Sequence, residues 1–547
     1  MRFRFRTRQG LLVYERGRRG KTASSVLRWR WVAADAALSV RAFGVAMIEC
    51  PCGDAMAQRS ASITLTCPGR QWRNSLNRLA PCVSALALCA VLNAAAQPNG
   101  GAPLSACTLP EVERPARCGS IEVPENPARP QGRRLQVSVA VAPAKNEGAL
   151  ADPIVVLMGG PGEAAIAEAG YYARQFGALL DDRDLLLIDQ RGSGRSNALT
   201  CRLYSPEAPA RSLRDIFPAD LAKECAQRLQ QHADLTQYTF AHFARDLEHV
   251  RRTLGYGRLN LFAGSYGTRA AQVYLRMYPE SVRTAYLGSV VPIDVATPLT
   301  FAKTTELVLS STFDACAAEA GCKSAFPNLR AEFEGVLAKL RANAVRVELQ
   351  GQPAQLHAGR VVEWLRSRLY RPGAAAEIPW LIHQAYAGDW SPIVEGVLAN
   401  ARGADDALSL GLLLAITCSE DVVFMREDEI ARATLGTYAA DFRARQQQAA
   451  CEHWPRASLP PDYRQPVRSS TPTMFVSGDL DAASPLWFTE RVARGFPNRV
   501  EIVLRGRGHT ESNDCVARLY ERFVRSGDVE GLDASCPPEP RPPFRTN

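Results

Sequence analysis

One stretch constrains this chain more than any other: Leu259-Asn260-Leu261-Phe262-Ala263-Gly264-Ser265-Tyr266-Gly267-Thr268, an apolar run ending in a small-residue turn with a serine at its apex. Ala270, Val273, Tyr274 and Met277 follow at helical spacing, so the local reading is strand, sharp turn, helix. That is the setting of a nucleophile elbow, where a tight turn lifts a serine hydroxyl clear of the backbone. The usual pattern is Gly-x-Ser-x-Gly, because side chains two residues either side of the serine would collide. Here Ala263 stands first and Gly267 second, and alanine adds only a methyl. The bland alternative is an ordinary strand-to-helix turn, and the rest of the chain has to decide between them.

Strands alternate with helices around this point. Leu135–Val141 alternates, Pro153–Leu157 and Asp184–Asp189 are apolar runs of the kind buried in a parallel sheet, and Ala285–Val291 is another. Leu221–Leu229 and His242–Leu254 have helical patterning. From about 300 to 468 the chain turns mostly helical, with Phe301–Ala320, Leu329–Ala342, Val361–Leu369, Ile378–Tyr386, Ala407–Ile416 and Glu427–Ala449. The sheet pattern then resumes at Thr473–Ser477, followed by a helix over Pro485–Gly495 and a last strand over Val500–Leu504. The expected architecture is α/β, a mostly parallel sheet with a large helical cap insertion. The first part of the core falls in 97–298, the cap in 299–468, and the rest of the core with a proline-rich tail in 469–547.

Residues 1–96 read as a leader. Arg70, Arg73 and Arg78 precede the apolar run Leu79–Leu92, and Ala94-Ala95-Ala96 before Gln97 offers a cleavage site, which is the shape of a secretory signal peptide. The run is too short for a membrane span, so no stable span is expected after signal removal. About seventy residues precede it, and an internal start such as Met47 or Met56 is the expectation, with residues 1–69 untranslated or processed away. The leader carries 15 of the 65 Lys+Arg and 4 of the 56 Asp+Glu, so the formal +9 belongs to it and the body is near neutral. Nucleic-acid binding thereby loses its main support. Of 15 cysteines, ten follow Gln97 in sequence-local couples: Cys107 with Cys118, Cys201 with Cys225, Cys316 with Cys322, Cys418 with Cys451, Cys515 with Cys536. An even count so arranged reads as five disulfides of an exported, periplasmic or extracellular protein, with connectivity open.

Three signals surround Ser265. Met158-Gly159-Gly160-Pro161-Gly162 directly follows a strand, and glycines let backbone N–H groups approach a ligand as an oxyanion hole requires. Of seven histidines, only His509 sits in a glycine-bracketed loop after a sheet strand. Asp481 lies just past another strand end, with Asp479 as the competing acid close enough to the strand to serve only as a turn closure. Serine, acid, histidine in that chain order is the α/β-hydrolase order. Ser265 is the expected nucleophile, His509 the base and Asp481 its orienting acid, with the N–H of Tyr266 and of Gly160 meeting the oxyanion. No metal or organic cofactor is called for. The glycines of Gln190–Ser196 miss the dinucleotide fingerprint at Asn197, and Gly17–Thr22 misses a Walker loop at Glu15, so nucleotide binding is rejected.

Gly159-Gly160-Pro161-Gly162, the run Asp189 to Ser196, Gly264-Ser265-Tyr266-Gly267-Thr268 and Gly508-His509 together resemble the proline iminopeptidase and tripeptidyl aminopeptidase group of α/β-hydrolase serine peptidases. Cys418-Ser419-Glu420-Asp421, Cys451-Glu452-His453-Trp454-Pro455 and the cysteines Cys515 and Cys536 are similar to its secreted, tripeptidyl-aminopeptidase-like branch. Met158, where the family often has histidine, and Ala263 depart from the pattern without removing a catalytic group. The resemblance implies a peptide substrate opened from its free N-terminus, and a carboxylate for the α-amine. By resemblance to the cap motif, Glu420 is first candidate and Asp421 second. The rival functions are a secreted carboxylesterase or lipase with the same triad, and a non-catalytic hydrolase-fold binding protein.

Overall fold

A computed structural model of the chain describes residues 104–343 and 345–547, and in the leader three short strands, Arg2–Thr7, Gly10–Glu15 and Trp29–Val32, paired antiparallel in that order. The signal-peptide reading of residues 70–96 lies outside the described residues. The leader and the body from Ala94 onward are separate compact units, and only the body bears on the site.

The body is built on a nine-stranded sheet. Its strands are β1 (Ser105–Leu109), β2 (Val112–Pro124), β3 (Arg134–Ala142), β4 (Leu150–Leu157), β5 (Arg183–Ile188), β6 (Leu259–Gly264), β7 (Val282–Gly288), β10 (Thr473–Gly478) and β11 (Arg499–Leu504), in the spatial order β11-β10-β7-β6-β4-β5-β3-β2-β1. A separate antiparallel hairpin holds β8 (Arg346–Leu349) and β9 (Gln352–Gln355). The six strands from β11 to β5 pair in parallel and the three at the other edge are antiparallel. Central strands such as β5 and β10 are buried at every position, as both faces being covered demands. The antiparallel pair β1 and β2 is not legible as strand in the sequence, because the first half of β2 carries Glu113, Arg114, Pro115 and Arg117 rather than an apolar run.

Helices cover both faces. The helices of eight residues or more are α1 (Ala169–Phe176), α2 (Ala219–Gln230), α3 (Phe240–Thr253), α4 (Gly267–Met277), α5 (Phe301–Ala318), α6 (Leu329–Arg341), α7 (Ala358–Arg368), α8 (Ile378–Ala387), α9 (Ser391–Ala407), α10 (Leu410–Glu420), α11 (Glu427–Thr434), α12 (Phe442–Cys451), α13 (Leu486–Ala493) and α14 (Asp514–Ser526). One face packs Phe176 of α1 and Tyr520 and Phe523 of α14 against Ile154, Val156 and Met474. The other packs α3 and α4 against Val155, Leu261 and Ala285. Between β7 and β10 the chain is helical apart from the β8–β9 hairpin and its loops. This segment divides in its packing: α5 to α9 enclose a cluster of their own around Phe313, Phe333, Trp364 and Ile382, whereas Leu412, Ile416 and Cys418 of α10 and Ala450 and Cys451 of α12 join the sheet's core.

Two helix readings are corrected. The run Glu427–Ala449 is two helices, because Gly436 takes a positive φ of 71° and reverses the chain after α11. The run Ala407–Ile416 spans a break, with α9 ending at Ala407 and α10 starting at Leu410. All five expected cysteine couples are disulfide-bonded, with Cα atoms 5.1–5.8 Å apart. No single helix among the described residues is long and apolar enough to cross a membrane.

Candidate active site

Ser265 stands between β6 and α4 with φ at +53°, the left-handed region that a serine enters only where the turn compels it. Its N–H donates to Gly288 O at 3.0 Å, and Thr268 Oγ1 both donates to Ser265 O at 2.6 Å and accepts from Val291 N at 2.9 Å. The turn is thus tied to the exit of β7. Gly267 is required here, because a Cβ on it would collide with Leu157 O. Ala263 meets no such obstacle and is simply buried in β6.

Ser265 Oγ–H donates to His509 Nε2 at 2.9 Å, and His509 Nδ1–H donates to Asp481 Oδ2 at 2.8 Å. Asp481 is 2% exposed, and its other oxygen accepts from the N–H of Ala483 and of Ser484, both at 2.8 Å. Those bonds fix the carboxylate's plane. Asp479 does a different job, accepting Gly506 N–H at 2.7 Å and so joining the turns after β10 and β11.

The loop after β4 faces Ser265. Gly159 N–H donates to Glu163 Oε2 at 3.2 Å, while the N–H groups of Gly160 and Tyr266 have no partner among the described residues. Gly162 must be glycine, because it meets the turn between α9 and α10: its O accepts Ser409 N–H at 3.0 Å, and a Cβ would lie 2.8 Å from Ser409 O. Asp189 props the same loop, accepting Ile166 N–H at 3.0 Å and Arg195 N–H at 3.0 Å. The glycine-rich run after β5 is therefore internal scaffolding. Arg191, fully buried, binds Asp246 through two bonds of 2.6 and 2.7 Å.

Ser265 and His509 open into a cavity of about 830 Å³, within the usual range for a ligand site. Its walls come from the loop after β4, from α7, α9, α10 and α12, and from the His509 loop. The histidine loop is itself gripped by the segment after α7. His509 N–H donates to Tyr370 O at 2.9 Å, Arg371 donates to His509 O, and the Tyr370 ring lies 4.7 Å from the imidazole. None of these contacts is visible in the sequence, which offers no link between residues so far apart.

Glu420 and Asp421 are not on the cavity wall. Both are buried, at 1% and 0% exposure. Glu420 accepts Phe240 N–H at 2.9 Å and the Tyr463 hydroxyl, and burial pushes its carboxyl up to about 7. Asp421 pairs with Arg269 at 2.9 Å and accepts the Tyr266 hydroxyl at 3.2 Å and Thr297 N–H at 3.0 Å. Both carboxylates are turned to protein donors, away from the cavity wall. The two acids expected to hold the α-amine thus lie off the wall of the cavity that Ser265 and His509 line. Asp421 instead holds Tyr266, the residue after the serine.

The acid that the sequence patterns do not single out is Glu163. It lines the cavity one residue past Gly162, and its one protein donor among the described residues is Gly159 N–H. A Cβ on Gly159 would lie 3.1 Å from Ser265 Cβ and 3.5 Å from Glu163 Oε2, which places the carboxyl next to the serine. Burial pushes Glu163 up from the ordinary carboxylate range, against the pull of the Gly159 N–H bond and of nearby His509. The signal available was a lone acid directly after a glycine-rich strand exit.

Sheet order, the serine elbow and the strand-end loops define an α/β hydrolase, and a family model of the alpha/beta hydrolase fold matches residues 152–312. A second model, described as TAP-like protein, matches residues 437–536. The chain is 24% identical over 486 residues to the tripeptidyl aminopeptidase of Streptomyces coelicolor, covering 79% of this chain and 85% of that one. It is 27% identical over 254 residues to the serine protease Hip1 of Mycobacterium tuberculosis, covering 42% of this chain and 48% of that one. The crystal structure of a proline iminopeptidase from Mycobacterium smegmatis aligns over 75% of this chain and 99% of its own, at 16% identity and a TM-score of 0.36. The chain has the α/β-hydrolase fold and is similar to the tripeptidyl aminopeptidases.

Proposed function

We propose that the protein is an exported serine aminopeptidase that cleaves peptides from a free N-terminus through Ser265, His509 and Asp481. The observation that carries the serine chemistry is the continuous relay from Ser265 Oγ through His509 to Asp481 at 2.9 and 2.8 Å, opening into a cavity. Ser265 attacks the scissile carbonyl while His509 Nε2 takes its proton, and Asp481 steadies the imidazolium. The tetrahedral oxygen meets the free N–H groups of Gly160 and Tyr266. His509 then protonates the leaving amine, and water returns by the same route to free the acyl group. Five disulfides support an oxidising compartment.

Peptides are favoured over esters by the tripeptidyl aminopeptidase relatives and by Glu163, an accessible carboxylate beside the serine where an α-ammonium can dock. A fluorophosphonate probe labels Ser265 in the wild type and leaves Ser265→Ala unlabelled. Mass spectrometry on matched peptides with free and acetylated N-termini, alongside short acyl esters, tests the rest. Free-amine peptides are expected to be cleaved preferentially, and Glu163→Gln, which keeps an acceptor for Gly159, to raise KM for them by roughly 10-fold or more while sparing esters. Cleavage of esters alone makes the enzyme an esterase. Failure of the probe to label Ser265 leaves a binding protein.

A further inference from the structure

The cavity has a second polar wall, away from the glycine loop. Arg360 and Arg366 of α7 and Arg443 of α12 line it with one acid, Glu363. Arg360, Glu363 and Arg366 are 2%, 5% and 7% exposed. Glu363 Oε2 accepts from Arg366 Nε at 3.0 Å and from Arg443 Nη1 at 3.2 Å. Burial alone would raise the Glu363 carboxyl, but Arg366 and Arg443 beside it hold it below its ordinary value, so it counts as an anion. Three guanidiniums thus face one carboxylate. The other acids on the cavity wall, Glu163, Glu168 and Asp406, form no ion pair with these arginines.

The cluster is rigid. The Phe301 ring carries the Arg366 guanidinium 4.3 Å from its centroid and that of Arg443 at 5.0 Å. Arg360 Nε donates to Ser212 O at 2.9 Å, and Arg366 donates to the Tyr370 hydroxyl. Arg360 Nη1, Arg366 Nη2 and Arg443 Nη2 make no hydrogen bond among the described residues. A buried excess of positive charge with spare donors is costly to hold until an anion meets it, and the guanidinium fork suits a carboxylate.

Resting on the peptidase reading, we propose that Arg360, Arg366 and Arg443 form a subsite for a substrate carboxylate a few residues from the scissile bond. Arg366 Cζ is 5.4 Å from the Tyr370 ring, which lies 4.7 Å from His509, so about two to three residues of extended peptide at ~3.3–3.6 Å each reach the subsite. The carboxylate is an acidic side chain or the C-terminus of a short peptide.

The test compares free-amine peptides carrying Glu or Gln at each of the first positions, made as C-terminal amides, with the same sequences as free acids. A side-chain site makes the Glu amide better than the Gln amide by about 10- to 100-fold in kcat/KM. A C-terminal site gives that factor between free acid and amide instead. Either ratio should collapse toward one in Arg443→Gln and be partly kept in Arg443→Lys. Equal rates across all four peptides overturn the proposal. To separate it from the peptidase reading, calorimetry on Ser265→Ala compares N-acetylglutamate, which carries both kinds of carboxylate, with N-acetylglutaminamide, which carries none, and needs no turnover. Tighter binding of the glutamate compound supports the subsite even if no peptide is cut, and equal binding overturns it.

Discussion

Two pairs of neighbouring acids lie near the serine, and they behave differently. Asp479 and Asp481 follow the end of β10, and the pair divides its labour: Asp479 ties two turns together and Asp481 orients His509. Glu420 and Asp421 end α10, and both turn inward, one to Tyr463 and Phe240 and the other to Arg269 and Tyr266. A loop at the carboxyl end of a parallel strand opens onto the ligand face of the sheet, so position along the chain is already position at the site. A helix end inside an insertion carries no such address. The same residue types, equally close to cysteine or glycine landmarks, can therefore serve the substrate in one case and the scaffold in the other.

The largest effects separate the two members of the strand-end pair. Ser265→Ala should lower kcat by roughly a millionfold, and Asp481→Asn by about 10⁴-fold, with circular dichroism unchanged. Asp479→Asn should keep kcat within about threefold, since its amide oxygen can still accept Gly506 N–H and it loses only the charge facing exposed Arg505, a surface pair worth at most about 1 kcal/mol. A comparable loss from both Asp479 and Asp481 substitutions would erase the distinction.

Next in size is the scaffold role of the helix-end pair. Asp421→Ala leaves the Arg269 guanidinium buried without its partner, and unfolding should require about 3–5 kcal/mol less in a denaturant titration. Because Tyr266 loses its anchor as well, kcat should fall for esters and peptides alike. A selective loss on free-amine peptides would restore the amine role to Asp421.

The meeting of Ser265, His509 and Asp481 is legible because each follows a strand exit, His509 is one of only seven histidines, and the order of those exits restricts the fold. The helices of the insertion were readable as helices, yet their contribution to the site was not. Arg360, Glu363 and Arg366 recur three residues apart on α7, one face of a helix whose neighbours Val361, Val362 and Leu365 are also buried. Charged residues at that period read as a solvated helix face, and nothing in the sequence says that they are buried or that the Ser265 cavity adjoins them. Tyr370 and Arg371, which grip the histidine loop, are invisible for the same reason: their partner is 138 residues away for Arg371, and no local pattern spans that distance.

The smallest effect concerns Glu420 and is read as a pH dependence of stability. Its folded pKa, about 7, lies above the ordinary carboxylate value of 4.5, so the folded state holds the proton more tightly than the unfolded chain. The contribution is present in full below the unfolded value and is lost as pH rises through about 7. Thermal midpoints of the wild type should therefore decline between about pH 5 and 8, and Glu420→Gln, which cannot ionise, should decline less over the same range. The ratio of free-amine to blocked-amine cleavage should be unchanged by this substitution. A collapsed ratio with an unaltered stability profile would put Glu420 at the substrate after all, and the two acid pairs would then differ only in which strand or helix delivers them.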